Sequence, residues 1–141
     1  MFPPETRVLV VEDTATMRKI IVDYFRQMGL TKVTDAEDGA DAWYKIKTAR
    51  KEGLPFELIV SDWEMPYMRG IDLVKKLRAT PEEAYTAFVM MTSIAEKDAI
   101  VQAAKSSVND YIMKPVRLDT LQQKLTAVYA KTAFANSLII E

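Results

Sequence analysis

The sequence predicts a single α/β domain built on one doubly wound parallel sheet of five strands. Three observations carry this. Short apolar runs alternate five times with longer segments of helical periodicity. The connections are short, which suits right-handed βαβ crossovers with helices on both faces. The runs end on polar residues: Glu12 and Asp13, Asp62, Thr92, and Lys114. In such a sheet, ligands bind outside the carboxyl ends of the strands.

Arg7 to Val11 is a continuous apolar run, as expected of a strand buried on both faces. Glu12, Asp13 and Thr14 then mark the sheet edge and a helix start. Met17, Ile20, Ile21, Tyr24, Phe25 and Met28 fall on one helical stripe, and Gly29 supplies a C-terminal stop. Residues 31–34 form a weak second strand. Asp38 and Gly39 open a second helix with Ala42, Ile46 and Ala49 on one face, closed by Gly53 and Pro55. The third strand spans 57–61 and delivers Asp62. Gly70 introduces a short helix carrying Ile71, Val74 and Leu77, which Thr80 and Pro81 end. A fourth strand is expected over 87–91, and a fourth helix over 96–106 with Ala99, Ile100, Ala103 and Ala104 inward. The fifth strand covers 111–113. The last helix presents Leu118, Leu121, Leu125 and Val128. The domain is expected over 1–131, with 132–141 as a C-terminal tail that is no separate domain. Phe134, Leu138, Ile139 and Ile140 in that tail are apolar. They are read either as a frayed end or as a surface that packs on the domain or a neighbour.

Composition narrows the chemistry. The 141 residues are 49% hydrophobic and 28% charged, with net charge -1, so no basic surface for nucleic acid is advertised. No apolar run reaches the roughly 18 residues of a membrane span, and the N-terminus lacks the pattern of a secretion signal. A cytoplasmic location is expected. There is no Cys, hence no thiolate metal site, and no His. The latter rules out Ser-His-Asp and Cys-His catalysis and His-ligated metals within the chain. Carboxylates, hydroxyls, lysines and oxygen-bound metals remain.

Glu12, Asp13 and Asp62 converging at one sheet edge would repel each other unless a cation neutralises them. Their ligands are all oxygens, which suits Mg²⁺. Asp13 and Asp62 would bind directly, and Glu12 through water. A carboxylate beside Mg²⁺ can attack phosphorus and form an aspartyl-phosphate. Lys114 supplies a cation and Thr92 a hydroxyl donor for the phosphoryl oxygens. Each residue taken alone has a plainer reading. An acid after a strand serves equally as a helix N-cap, and a loop Lys or Thr is usually solvated surface. Their recurrence at four strand ends of one sheet favours the site. The Lys114–Pro115 bond, if cis, would fix where the lysine points.

Val10-Val11-Glu12-Asp13, Ser61-Asp62-Trp63-Glu64-Met65-Pro66, Met91-Thr92-Ser93 and Tyr111-Ile112-Met113-Lys114-Pro115 together resemble the signature of response-regulator receiver domains. The resemblance covers about residues 6–131. Thr16 to Lys19, Ala36 to Gly39 and Ser61 to Trp63 are similar to stretches of its stand-alone chemotaxis members. It implies a flavodoxin-like (β/α)5 fold with strand order 2-1-3-4-5. Asp62 would accept a phosphoryl group from a phosphohistidine on a sensor histidine kinase. Glu12, Asp13, Asp62 and the backbone carbonyl of Glu64 would hold Mg²⁺, and Lys114 would contact the phosphoryl group. Thr92 and Tyr111 would form a coupled switch that remodels a protein-binding face on the fourth helix, fifth strand and last helix. For Tyr111 the plainer reading is a half-buried strand aromatic that only packs.

The resemblance implies no enzyme in the ordinary sense, but a phosphoacceptor that promotes its own phosphorylation and dephosphorylation. The expected partners are the kinase, an output protein such as a flagellar motor switch protein, and a phosphatase, with no membrane or nucleic acid. A phosphorelay intermediate passing phosphate to another protein's His is the alternative within the family. A haloacid-dehalogenase-type hydrolase would want Asp-x-Asp after the first strand and a cap domain, and a flavin module would want a hydroxyl-rich loop in place of Glu12 and Asp13. Three positions depart from the family pattern: Glu12 where Asp is usual, Arg69 before Gly70 where Asp is common, and Ser107 where Gly usually ends the fourth helix. Glu64, two residues past the acceptor, is expected to alter dephosphorylation.

Overall fold

The computed structural model describes residues 1–93 and 108–139, with side chains through residue 132. β1 (Val8–Val11), β2 (Val33–Ala36), β3 (Leu58–Asp62), β4 (Ala87–Thr92) and β5 (Asp110–Met113) form one sheet. All pairings are parallel and the order is β2-β1-β3-β4-β5, as expected for a flavodoxin-like sheet. Between the strands lie α1 (Ala15–Gln27), α2 (Gly39–Lys51), α3 (Gly70–Ala79) and a 3-10 turn (Pro81–Glu83). A C-terminal helix (Leu118–Ile139) follows β5. The expected fourth helix, the Ser107 turn and Ile140 lie outside the described residues, as do the side chains of Phe134, Leu138 and Ile139.

Strand alternation splits the core into two layers. Leu9, Val11 and Ile59 face Ala42 and Ile46 of α2 and Ile71, Val74 and Leu77 of α3. Val8, Val10, Leu58 and Val60 face Ile21 and Phe25 of α1 and Leu121, Leu125 and Val128 of the C-terminal helix. β1, β3 and β4 are buried along their whole length, which explains their unbroken apolar runs. β2 is an edge strand with Thr34 and Asp35 exposed. Its apolar signal is therefore thin, and it lies two residues later than the sequence pattern placed it, with Val33 opposite Val8 and Ala36 opposite Val11.

Local signals fixed most helix ends. Asp38 caps α2 by accepting the Asp41 amide. Gly29 adopts φ +85 after α1, the left-handed turn a glycine permits without strain. Five of the six residues of the α1 stripe meet the core: Ile21 and Phe25 are buried, Met17, Tyr24 and Met28 pack against the same cluster, and Ile20 is exposed. The last helix runs unbroken through Ile139, so the backbone of 132–139 continues it.

Candidate phosphoacceptor site

Four strands end on one edge of the sheet, and each contributes a residue. β1 leads into Glu12 and Asp13, β3 ends on Asp62, β4 ends on Thr92, and Lys114 follows β5. Registers align these ends: Val11 lies opposite Ser61, Asp62 opposite Met91 and Thr92 opposite Met113. Glu12, Asp13 and Asp62 each place a carboxylate oxygen within 4.8 Å of the others. Glu12 and Asp62 are buried while Asp13 is exposed, so the cluster opens to solvent on one side.

Lys114 bridges the acids. Its Nζ lies 2.8 Å from Asp62 Oδ2 and 3.7 Å from Glu12 Oε2. Burial works against the ammonium charge. The hydrogen bond and charge of Asp62, with Glu12 and Asp13 beyond, outweigh it and hold the Lys114 pKa above its ordinary value. The Lys114–Pro115 peptide is cis. Glu12 is the opposite case. Burial, then repulsion from Asp62, pushes its pKa up to about 7 against the pull of Lys114. Glu12 Oε2 is buried without a hydrogen-bond donor among the described residues. Three carboxylates offering only oxygen, one with an unserved buried lone pair, fit a hard divalent cation such as Mg²⁺.

The turn that carries Glu12 and Asp13 is held from α1. Arg18 donates from Nη1 to the Glu12 carbonyl at 2.8 Å and from Nε to Asp35 Oδ2 at 2.9 Å. The Thr14 amide donates to Glu12 Oε1 at 3.3 Å. Arg18 stood in the sequence only as one residue of a matching run. No local pattern announces that its guanidinium reaches back to the preceding strand.

The loop after Asp62 is anchored at both ends. The Trp63 amide donates to the Met91 carbonyl, and the Gly70 amide to the Trp63 carbonyl. Trp63 and Met65 are buried, whereas Glu64 is exposed. A Cβ on Gly70 would strike the Asp62 carbonyl and lie 2.8 Å from Met90 Sδ, so glycine is required for close approach. Tyr67 takes φ +70 with its ring 90% exposed. Arg69, the departure noted above, stacks 5.7 Å from the Trp63 ring centroid. Its guanidinium and amide both donate to Asp72, whose carboxyl they hold below its usual range.

Thr92 is buried, with its hydroxyl donating to the Ser93 carbonyl at 3.3 Å. Tyr111 is half-buried against the α2–α3 layer of the core. Its hydroxyl is enclosed with no hydrogen-bond partner among the described residues. Burial, then the charge of Asp110, pushes its pKa up.

The profile described as "Response regulator receiver domain" matches residues 8–126. The chain belongs to that family. Among relatives of this receiver is chemotaxis protein CheY-3 of Vibrio cholerae. The two are 36% identical over 125 residues, which is 89% of this chain and 92% of that protein. Chemotaxis protein CheY of Pseudomonas aeruginosa is 34% identical, covering 89% of this chain and 97% of its own. In structure, the receiver resembles chemotaxis protein CheY4 of Vibrio cholerae with TM-score 0.77 and 28% identity, covering 88% and 98% of the two chains. A receiver domain protein from Clostridium thermocellum matches at TM-score 0.78 and 18% identity, with 92% and 98% covered, and shows the shared fold alone. Among the described residues, no helix is long and apolar enough to cross a membrane.

Proposed function

We propose that this receiver is a phosphorylation switch whose acceptor is Asp62. One observation carries the reading: three carboxylates lie within 4.8 Å of one another, with the Lys114 ammonium 2.8 Å from Asp62. An Asp62 oxygen attacks the phosphorus of a phosphohistidine on a sensor kinase. The new O–P bond forms as the P–N bond breaks, and the departing imidazole takes a proton. Glu12, Asp13, Asp62 and the Glu64 carbonyl would hold Mg²⁺, which would supply charge neutralisation there. Lys114 then leaves Asp62 for a phosphoryl oxygen, and the Thr92 hydroxyl donates to another. The chain is thus a phosphoacceptor that assists its own phosphorylation and dephosphorylation, with no separate substrate.

The added group carries roughly -1.5 to -2 charges. Moving Thr92 toward it frees space beside Tyr111 on the neighbouring strand, where Met90 pairs with Tyr111. Tyr111 already has its hydroxyl enclosed. A bias of a few kcal/mol toward the inward ring is enough to switch the pair. The CheY relatives support a chemotaxis role, with a flagellar motor switch protein as output partner and a phosphatase as the route to reset. The reading places the chain in the cytoplasm with its kinase. The receiver unit is taken as 1–131, with 132–141 as an appended segment.

Incubation with Mg²⁺ and a small phosphoryl donor, followed by intact mass, tests the core of this reading. One added phosphoryl group is expected, absent in Asp62→Ala and when Mg²⁺ is chelated. Lack of an adduct on the unaltered chain would sink it. Binding to a flagellar motor switch protein, measured by anisotropy, should tighten after phosphorylation; equal affinity in both states refutes the chemotaxis output.

A further inference from the structure

Away from Asp62, α2 and the 3-10 turn enclose a groove of about 600 Å³, lined by Trp43, Tyr44, Lys47, Lys51, Thr80 and Glu82 among others. Helices in this fold run opposite to the strands. The C-terminal half of α2 and the Thr80–Glu83 segment therefore lie toward the end of the sheet opposite Asp62. The 13 residues of α2 put about 20 Å between its two ends.

The two sides of the groove are tied together. The Arg50 guanidinium grips Glu83 with two bonds, Nη2 to Oε1 at 2.8 Å and Nε to Oε2 at 3.1 Å, and donates to the Glu82 carbonyl at 2.6 Å. Glu83 is buried, and Thr86 donates to the same carboxylate. This pair ties α2 to the 3-10 turn and fixes the groove's width. Lys76 stands 5.1 Å from the Trp43 ring centroid, which holds a cation beside the indole. Tyr44 is 68% exposed.

The residue types are those that dominate binding energy in interfaces: Trp, Tyr and Arg in a preorganised setting. The charge is one-sided. Tyr44, Lys47 and Lys51 follow one another along the same helix face. Among the described residues neither Lys47 nor Lys51 has a carboxylate in ion-pair range. Glu83 is neutralised by Arg50, leaving Glu82 as the one acid among the lining residues against Lys47 and Lys51. On a chain of net charge -1, this is a local basic patch around an aromatic cleft.

We propose that this groove docks an acidic partner segment with an apolar anchor, the anchor packing on Trp43 and Tyr44 and its carboxylates meeting Lys47 and Lys51. Because no residue lining the groove belongs to the acidic cluster or to the Thr92–Tyr111 pair, docking is independent of phosphorylation. It would hold the receiver at a partner in both signalling states and leave the phosphorylation-controlled face free.

The probe is a short amphipathic peptide with a Phe-Leu anchor between glutamates, compared with the same anchor between lysines. Binding is followed by amide and indole NMR shifts. The glutamate peptide should shift Trp43, Tyr44 and Lys47 with a Kd below about 1 mM, the weak end of specific binding. Lys47→Glu/Lys51→Glu should weaken it about tenfold or more, equivalent to the 1.4 kcal/mol of one decade. Both lysines are exposed, so the fold should survive, and a thermal melt verifies this. Phosphorylating Asp62 should leave the Kd unchanged. Equal affinity for the lysine peptide, shifts centred elsewhere, or no saturable shift overturns the proposal. An Asp62 that fails to phosphorylate bears only on the acceptor reading, since the peptide titration uses the unmodified chain.

Discussion

Glu12→Gln should stabilise the metal-free receiver above neutral pH. The Glu12 carboxyl is buried, faces Asp62, and has its pKa pushed from 4.5 up to about 7. Between those values the folded chain keeps a proton that the unfolded chain has released. Stability therefore falls as pH rises through the window and stays low above it. A shift of that size corresponds to about 3 kcal/mol at 1.36 kcal/mol per pH unit. This is an upper figure, because water entering beside the carboxylate relieves part of it. Even half would be sizeable beside the roughly 5–15 kcal/mol that holds a domain together. Gln has the same shape and no charge to desolvate, so its stability should lack this pH dependence.

The assay is urea unfolding in a chelator at pH 4.5, 6 and 8.5, for the unaltered chain and Glu12→Gln. The variant's advantage should grow from near zero at pH 4.5 to about 1.5–3 kcal/mol at pH 8.5. Mg²⁺ should then erase or reverse it, since a cation at 100 times its Kd adds about 2.7 kcal/mol to the unaltered protein only. A constant difference across pH would refute the account of Glu12 as an ionisable group destabilised by its surroundings.

Arg18→Ala removes two charge-assisted hydrogen bonds to the Glu12 carbonyl and Asp35, and should weaken Mg²⁺ binding by about tenfold, as a loss of 1.5–3 kcal/mol at the turn would do. Titration followed by Trp fluorescence reads it, and unchanged affinity removes Arg18 from any positioning role. Gly70→Ala drives a methyl into the Asp62 carbonyl and should cost about 1–3 kcal/mol in urea unfolding while slowing phosphorylation by a small donor. Normal stability and rate would show that the loop yields freely. Glu64→Ala should lengthen the lifetime of the phosphorylated form by about tenfold or less, below the 10²–10⁴ of an ideally placed base. An unchanged lifetime in a phosphate-release assay contradicts a role for Glu64 in guiding water. Arg50→Ala leaves Glu83 buried and unpaired and should cost about 3–5 kcal/mol, read by thermal or urea unfolding. A loss below 1 kcal/mol would mean that water replaces the guanidinium.

The parts legible in the sequence were those whose cause is local. β1, β3 and β4 are buried on both faces, so their apolar runs are unbroken and their polar ends stand out. Those ends gave Glu12, Asp13, Asp62, Thr92 and, with the Pro beside it, Lys114. What stayed hidden depends on long-range geometry. β2 slid by two residues because an edge strand exposes its middle and leaves little pattern to set register. Arg18 and the Arg50–Glu83 pair are ordinary charges on helix surfaces until the fold brings Glu12, or a turn 33 residues away, within reach.

Arg69 illustrates the limit best. In sequence it is only a missing acid beside Gly70. In the fold it replaces that acid's charge with a stack on Trp63 and a clamp on Asp72. The same substitution thus makes the rim of the site less acidic and ties the loop to α3. Glu64 is left as the exposed carboxylate next to the acceptor in that loop. If this chain's phosphoryl lifetime differs from that of a receiver with Asp before the Gly, two effects compete: weaker repulsion of the phosphoryl charge and a stiffer loop. Salt separates them, since about 1 M screens charge beyond roughly 3 Å and leaves loop stiffness unchanged.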